Sequence, residues 1–345
     1  MERIFSVPLK GGNYTDVYFS ETIDKERRIT SGNAFAVADS NSSRYLPSGI
    51  PSLVLPPGEK EKNWAAVDKI LSSSLAHGLA RDSVFIGVGG GVILDMTAFA
   101  ASLYMRGARL VLFPTTLLAM VDATLGGKTG IDYGGGKNLV GTFYPAEAVI
   151  ISTSTLRTLP DKEFRCGMGE VVKHSFLSSD ERLSEFLLTH RAEIERKDEK
   201  VLQEMIRLSL EVKIEYITRD PEEKKGIRGA LNLGHTFGHA LEALRGFSLS
   251  HGEAVAWGTA KALLVGKELG ITPSSFADSG IELIKSFGFD TGYKLPQAEF
   301  DAYYKAIGKD KKKRGGEVRF VLMEGQGKPA LQPLPENVIK AAVCC

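Results

Sequence analysis

Five short apolar runs, NAFAVAD (33–39), SLVLP (52–56), SVFIGV (83–88), RLVLFP (109–114) and AVIIS (148–152), most restrict what this chain can fold into. They are rich in Val, Ile, Leu and Phe, lack polar alternation, and end on or beside Gly, Pro, Asp or Ser. Strands buried on both faces read this way, which predicts a parallel sheet covered by helices. Helical patterns between the runs complete a βα rhythm. Beyond about residue 160 the period changes: EFRCGMGEVVKHSFL, LQEMIRLSLEVKIEYIT and HGEAVAWGTAKALLVGKEL repeat apolar residues every three or four positions. The expected architecture is a Rossmann-like α/β domain over 1–158 followed by a mainly α-helical domain over 159–345.

A chain of 345 residues can bury a sizeable core in two domains. Its 43 Lys+Arg nearly balance 42 Asp+Glu, so no global field recruits nucleic acid or a membrane surface, and an anionic ligand needs a local cluster. Cys166, Cys344 and Cys345 form neither a disulfide framework nor a metal spacing, which suits a reducing compartment. MERIFSVPLKGG lacks the build of a signal peptide, and no apolar run approaches the roughly 18 residues of a membrane span. The expectation is a soluble, cytoplasmic protein. The densest charge run is DKKKR at 310–314.

GVGGGVILDM (87–96) follows the strand SVFIGV and opens a helical pattern. Glycines there let backbone N–H groups and a helix N-terminus approach a pyrophosphate, although Val92 or Leu94 stands where the full GxGxxG needs its third glycine. A tight turn without ligand is the competing reading. Asp39, ending an earlier strand, is either a ribose acceptor or an ordinary turn residue. GGKTGIDYGGGKN (126–138) sets Lys128 and Lys137 among six glycines, flanked by Asp122, Asp132 and Asn138. Two ammonium groups on such a backbone suit a phosphorylated or carboxylated ligand; Asp122, where a Walker motif needs glycine, excludes that motif.

Metal ligands are offered by Glu170 in GMGEVVKH, by His235 and His239 in NLGHTFGHALE, and by His251 in SHGEAVAWG. Two histidines and a carboxylate suit zinc and leave a position open. His235 and His239, four residues apart on a helix, share a face, so spacing makes them the first chelating pair. The alternative is one core and one surface histidine, and spacing does not decide. His77 and His190 read as surface residues, and His174 beside Lys173 stays open.

Together these blocks resemble the 3-dehydroquinate synthase family of sugar-phosphate cyclases, from about residue 33 to 323. The matching segments, in order, are GGGVILDM; YMRGARLVLFPTTLLAMVDATLGGKTGID with GKNLVGTF; GMGEVVKH; RGALNLGHTFGHALE with SHGEAVA; and DKKKRGGEVRFVL. The resemblance implies metal ligation by Glu170, His235 and His251, with zinc expected and cobalt as an alternative, and leaves His239 for the substrate as a proton shuttle. It implies NAD contacts at Asp39, Asn41, Glu59, Lys62, Gly90, Gly91, Asp95, Thr115 and Thr116, with Lys128 and Lys137 adjoining. Substrate contacts carry over to Arg106, Asp122, Lys128, Lys137, Asn138, Lys173, Lys213, Arg228, Asn232, His239 and Lys311.

The implied reaction converts the seven-carbon keto-acid sugar phosphate 3-deoxy-D-arabino-heptulosonate 7-phosphate into 3-dehydroquinate with release of phosphate, NAD being regenerated within each turnover. The implied partner is this small molecule, with no nucleic acid or membrane, in a homodimer. The chain departs from the family pattern in three places. DPEEKKGIR (220–228) is one residue longer than DExExGxR, with Lys224 in place of a substrate-side glutamate and Glu222 or Glu223 as substitutes. Gly169 and His174 are less usual neighbours of the metal and substrate positions, and Leu94 replaces a glycine in the NAD loop. Rival readings are another sugar-phosphate cyclase such as an aminodehydroquinate synthase, an NAD- and metal-dependent polyol dehydrogenase, and a silent NAD-binding module. A neutral polyol has no use for Lys128, Lys137, Lys173 and Arg228.

Overall fold

The computed structural model describes residues 1–9, 14–25, 33–221, 223–246, 248–314 and 318–344, with the side chains of 25 and 309–314 also outside the described set. It divides into two compact units, Met1–Phe164 and Arg165–Cys345.

In the first unit the five expected runs become β3 (Ala34–Asp39), β4 (Ser52–Leu55), β5 (Val84–Gly89), β6 (Arg109–Pro114) and β9 (Ala148–Ile151). They pair in parallel throughout. The sheet also takes in β1 (Glu2–Pro8) and β2 (Tyr14–Phe19), giving the order β1-β2-β9-β6-β5-β3-β4. β2 runs parallel to β9, and β1 closes the edge antiparallel to β2. Every residue of β5 and β9 is buried, as unbroken apolar strands require. One face of the sheet packs Ala36, Ala38, Ile86, Val88, Val111, Phe113 and Ile150 together. Each fully buried Ile, Val or Phe among them stabilises by about 1.5–3 kcal/mol.

The chain leaves β3 for β4 on one side and for β5 on the other. At such a switch the loops beyond the carboxyl ends of the two strands diverge and leave a crevice. Helix α1 (Trp64–Ala76) starts where the Asn63 side chain accepts the Ala66 N–H at 3.1 Å, and α2 (Gly91–Leu103) starts directly from Gly90 after β5. Trp64 and Phe99 meet edge to face at 5.9 Å between these helices. A small hairpin, β7 (Ile131–Tyr133) with β8 (Gly136–Val140), turns at Gly134 and Gly135. Both turn residues have positive φ, 58° and 78°, as a two-residue hairpin turn demands. Two glycines of the GGGK run are therefore turn residues.

The second unit is built from α3 (Asp161–Leu177), α4 (Arg182–Thr189), α5 (Arg191–Glu195), α6 (Glu199–Arg219), α7 (His235–Leu244), α8 (His251–Glu268), α9 (Ser274–Ser286), α10 (Phe300–Arg314) and α11 (Glu336–Cys344). An antiparallel pair, β10 (Phe320–Met323) and β11 (Pro329–Gln332), joins them. Among the described residues no helix is long and apolar enough to cross a membrane. α8 is central, buried at almost every position from Gly252 to Gly266.

Glycines let these helices approach at backbone distance. A Cβ on Gly169 of α3 would overlap the Gly252 backbone of α8, and one on Gly252 would overlap the Cys166 carbonyl. Further along α8, a Cβ on Gly258 would overlap the Gly234 carbonyl, and one on Gly238 of α7 would stand 2.7 Å from the Ala254 carbonyl. Backbone cannot yield as a flexible side chain can, so a methyl group here forces the helices apart. Gly252→Ala is expected to lower unfolding stability by about 1–3 kcal/mol, read from the urea midpoint. A midpoint equal to the parent's would show that α3 and α8 have room to spare.

Candidate active site

In the first unit the expected cofactor residues gather on loops beyond the carboxyl ends of the strands. Asp39 is the last residue of β3, and its Oδ1 accepts from the N–H groups of Asn41 (3.0 Å) and Ser42 (2.9 Å) and from Ser42 Oγ (2.7 Å). Ser42 Oγ also reaches the Val88 carbonyl at 2.9 Å, tying this turn to the end of β5. Asp39 therefore folds its own loop with one carboxylate oxygen. Across the switch, Gly90 caps α2 in extended conformation, and a Cβ there would press on Thr116 Cγ2 at 3.2 Å. Gly91 is less constrained, its Cβ meeting only Ala123 at 3.6 Å. Thr115 N–H donates to the Gly89 carbonyl at 2.9 Å, and Thr116 Oγ1 accepts the Ala119 N–H at 3.2 Å. The result is a glycine-floored cradle at a helix N-terminus, which suits an anion.

Lys62 is the hub beside this cradle. It is 5% exposed, and its Nζ lies 2.6 Å from Asp95 Oδ2 on α2 and 2.6 Å from Asn138 Oδ1 on β8. The Lys62 carbonyl accepts the Asp132 N–H at 2.8 Å, and Asp132 Oδ1 accepts the Asn138 N–H at 2.9 Å. The hairpin is thus clamped to one lysine from both its side chain and its backbone, with Asn138 in the left-handed region at φ 52°. Burial raises the pKa of the Asp95 carboxyl above its usual value against the pull of Lys62, with Glu59 and Asp122 adding to the rise. Lys137 Nζ stands 3.7 Å from Glu59 Oε1. Lys128 is exposed, its backbone bridged to Phe143. Arg106 is also exposed and occupies a turn leading to the amino end of β6, with Met105 at φ 46° and Arg106 at φ 69°.

In the second unit, three helices bring Glu170, His235 and His251 to one point. Glu170 on α3 is fully buried. Its Oε1 lies 3.2 Å from His251 Nε2 and 3.4 Å from His235 Nε2, and its Oε2 pairs with Lys173 Nζ. The outward ring nitrogens are also engaged. His235 Nδ1 is 3.1 Å from the Leu233 carbonyl, and His251 Nδ1 is 3.4 Å from Glu242 Oε2. A partner on Nδ1 fixes the ring and turns Nε2 inward, the usual support of a metal-bound imidazole. His235 is the first residue of α7, after Gly234 at φ 76°, and His251 is the first of α8. A capping box holds the start of α8: Ser250 Oγ accepts the Glu253 N–H while Glu253 Oε2 accepts the Ser250 N–H at 3.2 Å.

His239 stands beside this group on the same helix as His235, exposed, with ring centroids 5.0 Å from His235 and 5.7 Å from His251. One ring nitrogen of each of the three histidines lies within 4.8 Å of the others.

The charges are settled by competition. Burial works to raise the pKa of the Glu170 carboxyl, but Lys173, His235 and His251 together hold it well below the usual carboxylate range. Burial and Lys173 push His235 well below its ordinary value, outweighing the pull of Glu170. Burial would lower His251 too, yet its hydrogen bonds to Glu170 and Glu242 carry it up to about 10. The two imidazoles are thus driven in opposite directions, His235 down by burial and Lys173, and His251 up by its two carboxylate partners.

Lys213 on α6 and Arg228 are both 4% exposed, and Asn232 ends the short turn that Arg228 begins. His174 is buried with Nδ1 2.8 Å from Ser209 Oγ. The Lys311 side chain and Glu222 lie outside the described residues.

The chain matches the family descriptions "3-dehydroquinate synthase N-terminal" over residues 52–166 and "3-dehydroquinate synthase C-terminal" over 167–313. It is 39% identical over 299 residues to the 3-dehydroquinate synthase of Shewanella sp. (strain MR-4), covering 86% of this chain and 82% of that one. Its fold is similar to 2-deoxy-scyllo-inosose synthase complexed with carbaglucose-6-phosphate, NAD+ and Co2+ (TM-score 0.85, 24% identity, 98% of each chain). It is likewise similar to 2-epi-5-epi-valiolone synthase from Streptomyces hygroscopicus subsp. jinggangensis 5008 with NAD+ and Zn2+ bound (TM-score 0.84, 24% identity, 98% of each chain). These relatives make the chain an enzyme of the lyase-class cyclase type. The chain belongs to the 3-dehydroquinate synthase family.

Sequence reasoning overlooked Glu242, which ends the NLGHTFGHALE stretch and braces His251; its place one helical turn after His239 was the available signal. It also missed the capping box spelled by SHGE, and Ser209, for which no sequence signal exists. Removing the Lys62 ammonium with Lys62→Met strands Asp95 and takes away the side-chain half of the hairpin's clamp, and should cost about 3 kcal/mol of unfolding stability. A loss below about 0.5 kcal/mol, the range of an ordinary surface change, would mean that Lys62 is not a structural hub.

Proposed function

We propose that this chain catalyses the NAD- and zinc-dependent conversion of 3-deoxy-D-arabino-heptulosonate 7-phosphate to 3-dehydroquinate with release of phosphate, a step of the shikimate pathway toward aromatic amino acids. The observation that carries the reading is the convergence of two imidazole Nε2 atoms on one buried carboxylate oxygen, each ring braced at Nδ1. One carboxylate oxygen and two imidazoles fit zinc, or cobalt, with an open position. The Gly90–Thr116 cradle at the N-terminus of α2 fits a dinucleotide pyrophosphate. In this reading the first unit takes NAD through Asp39, Asn41, Glu59, Lys62, Gly90, Gly91, Asp95, Thr115 and Thr116, and the second takes metal through Glu170, His235 and His251. Lys62 and Asp39 act largely by holding loops in place, since their polar atoms already serve neighbouring backbone and side chains.

When bound, zinc supplies a Lewis acid for an alcohol oxygen and NAD a reversible hydride acceptor. The chain's own groups receive the substrate. Lys128, Lys137, Lys173, Lys213, Arg106, Arg228 and Lys311 neutralise phosphate and carboxylate, and Asp122, Asn138 and Asn232 orient hydroxyl groups. His239, exposed beside the proposed ligands, takes and returns a proton at a substrate oxygen. A cytoplasmic homodimer belongs to the same reading. It rests on family membership.

Two measurements test this. Glu170→Gln, His235→Ala and His251→Ala should each emerge from dialysis without zinc, whereas His239→Ala should retain zinc and lose at least about a hundredfold in rate. A zinc-free His239→Ala beside a zinc-replete His251→Ala would reverse the ligand assignment. In turnover, a trace of NAD should support complete conversion, with phosphate released in proportion to carbocycle and flat absorbance at the NADH wavelength. Steady NADH accumulation without phosphate would identify an ordinary polyol dehydrogenase instead.

A further inference from the structure

Residues 220–228, DPEEKKGIR, connect the end of α6 to the short turn Arg228–Asn232, and several of the described residues among them bond to one side chain. Asp220 is 1% exposed, and both of its carboxylate oxygens are in use. Oδ1 accepts the backbone N–H groups of Lys224 (2.9 Å) and Lys225 (3.0 Å), and Oδ2 accepts that of Arg228 (3.2 Å). The Asp220 carbonyl accepts the Glu223 N–H at 3.2 Å. Between these anchors the backbone is irregular, with Glu223 at φ 57° and Gly226 at φ 77°. A residue bearing a side chain does not adopt that left-handed conformation without compensation elsewhere.

At the end of the loop Arg228 turns inward, 4% exposed, with Nη1 donating to the Pro221 carbonyl at 3.3 Å. Two anchors from the loop's start, the Asp220 carboxylate on its backbone and the Pro221 carbonyl on its guanidinium, thus meet on this one residue. Burial would raise the pKa of the Asp220 carboxyl, but the backbone donors of Lys225, Arg228, Lys224 and Ile227 outweigh it and keep the group ionised. N–H bonds to a carboxylate are the strong kind.

We infer that Asp220 is a positioning residue for Arg228: without touching substrate, it holds the backbone at Glu223, Lys224, Lys225 and Arg228 so that the guanidinium is in place before the anionic substrate arrives. The inference rests on the reading above in which Arg228 receives an anionic group of the substrate. Pre-placing a cation spares the ordering that a free loop would undergo on binding.

The test is a double-mutant cycle in kcat/KM on the full chain loaded with zinc and NAD, using the seven-carbon sugar phosphate and the variants D220N, R228A and D220N/R228A. R228A should be impaired. D220N sets an amide N–H2 against backbone N–H groups and should lose about tenfold in kcat/KM. In the R228A background the same change should cost less than about twofold, because nothing remains to be positioned. An equal factor in both backgrounds, or no effect of D220N on the parent, overturns the inference and leaves the role of Arg228 standing. Parental activity of R228A removes that role and the inference with it. Hydrogen exchange on the unmutated protein gives an independent reading if D220N does not fold. The amides of Lys224, Lys225 and Arg228 should exchange at least about a hundredfold more slowly than open-loop amides, and open-loop rates there would overturn the inference.

Discussion

The second unit depends on the Glu170 carboxylate, a charge with no exposure to solvent. Removing such a charge from water costs several kcal/mol, and one partner seldom offsets it. Here Lys173 stands on one oxygen, and His235 and His251 stand on the other. These groups come from α3, α7 and α8, so the ion cluster exists only if the three helices lie almost in backbone contact. Gly169, Gly252, Gly258, Gly234 and Gly238 provide that approach. Packing and electrostatics are therefore one arrangement: a methyl group between the helices would pull the histidines from the carboxylate, and an unpaired carboxylate would not tolerate burial.

The first unit rests on a smaller cluster of the same kind. Lys62, buried, joins a helix that begins at the glycine turn to a hairpin that carries Lys137 and Asn138. The parallel sheet places a switch in strand order between β3 and β5, where a crevice forms, but a sheet does not order its loops. That is done by local hydrogen bonds: Asp39 on its own turn, Ser42 on Val88, and Lys62 across the hairpin. Asp220 does the same for the loop before Arg228 in the second unit. Polar side chains bonded to neighbouring backbone or side-chain groups thus support both sets of proposed site residues.

The strands that build the parallel sheet were legible because a strand covered on both faces has no polar positions, as in SVFIGV and RLVLFP. The edge ribbon β1–β2 was not, because ERIFSVP is mostly exposed and carries little apolar pattern. GGG at 134–136 read as a ligand loop and is in large part a hairpin turn. Glycine permits both, so the residue type alone does not separate them. The length of 220–228 could be counted, but not the left-handed backbone of Glu223 held between Asp220 contacts.

By itself the sequence determined which segments are strands and which are helices, and it carried the family resemblance in which Glu170, His235 and His251 stand out. Periodicity records how each element is buried, and burial is a local property written every two or every three to four residues. Only the tertiary structure decided that both His235 and His251 direct Nε2 to one oxygen of Glu170, that Glu242 braces the second ring, and that the pKa of His251 is pushed up while that of His235 is pushed down. Those outcomes depend on distances of a few ångströms between helices far apart in the chain. Coulomb energy and desolvation are set by such distances, and spacing along the sequence does not encode them.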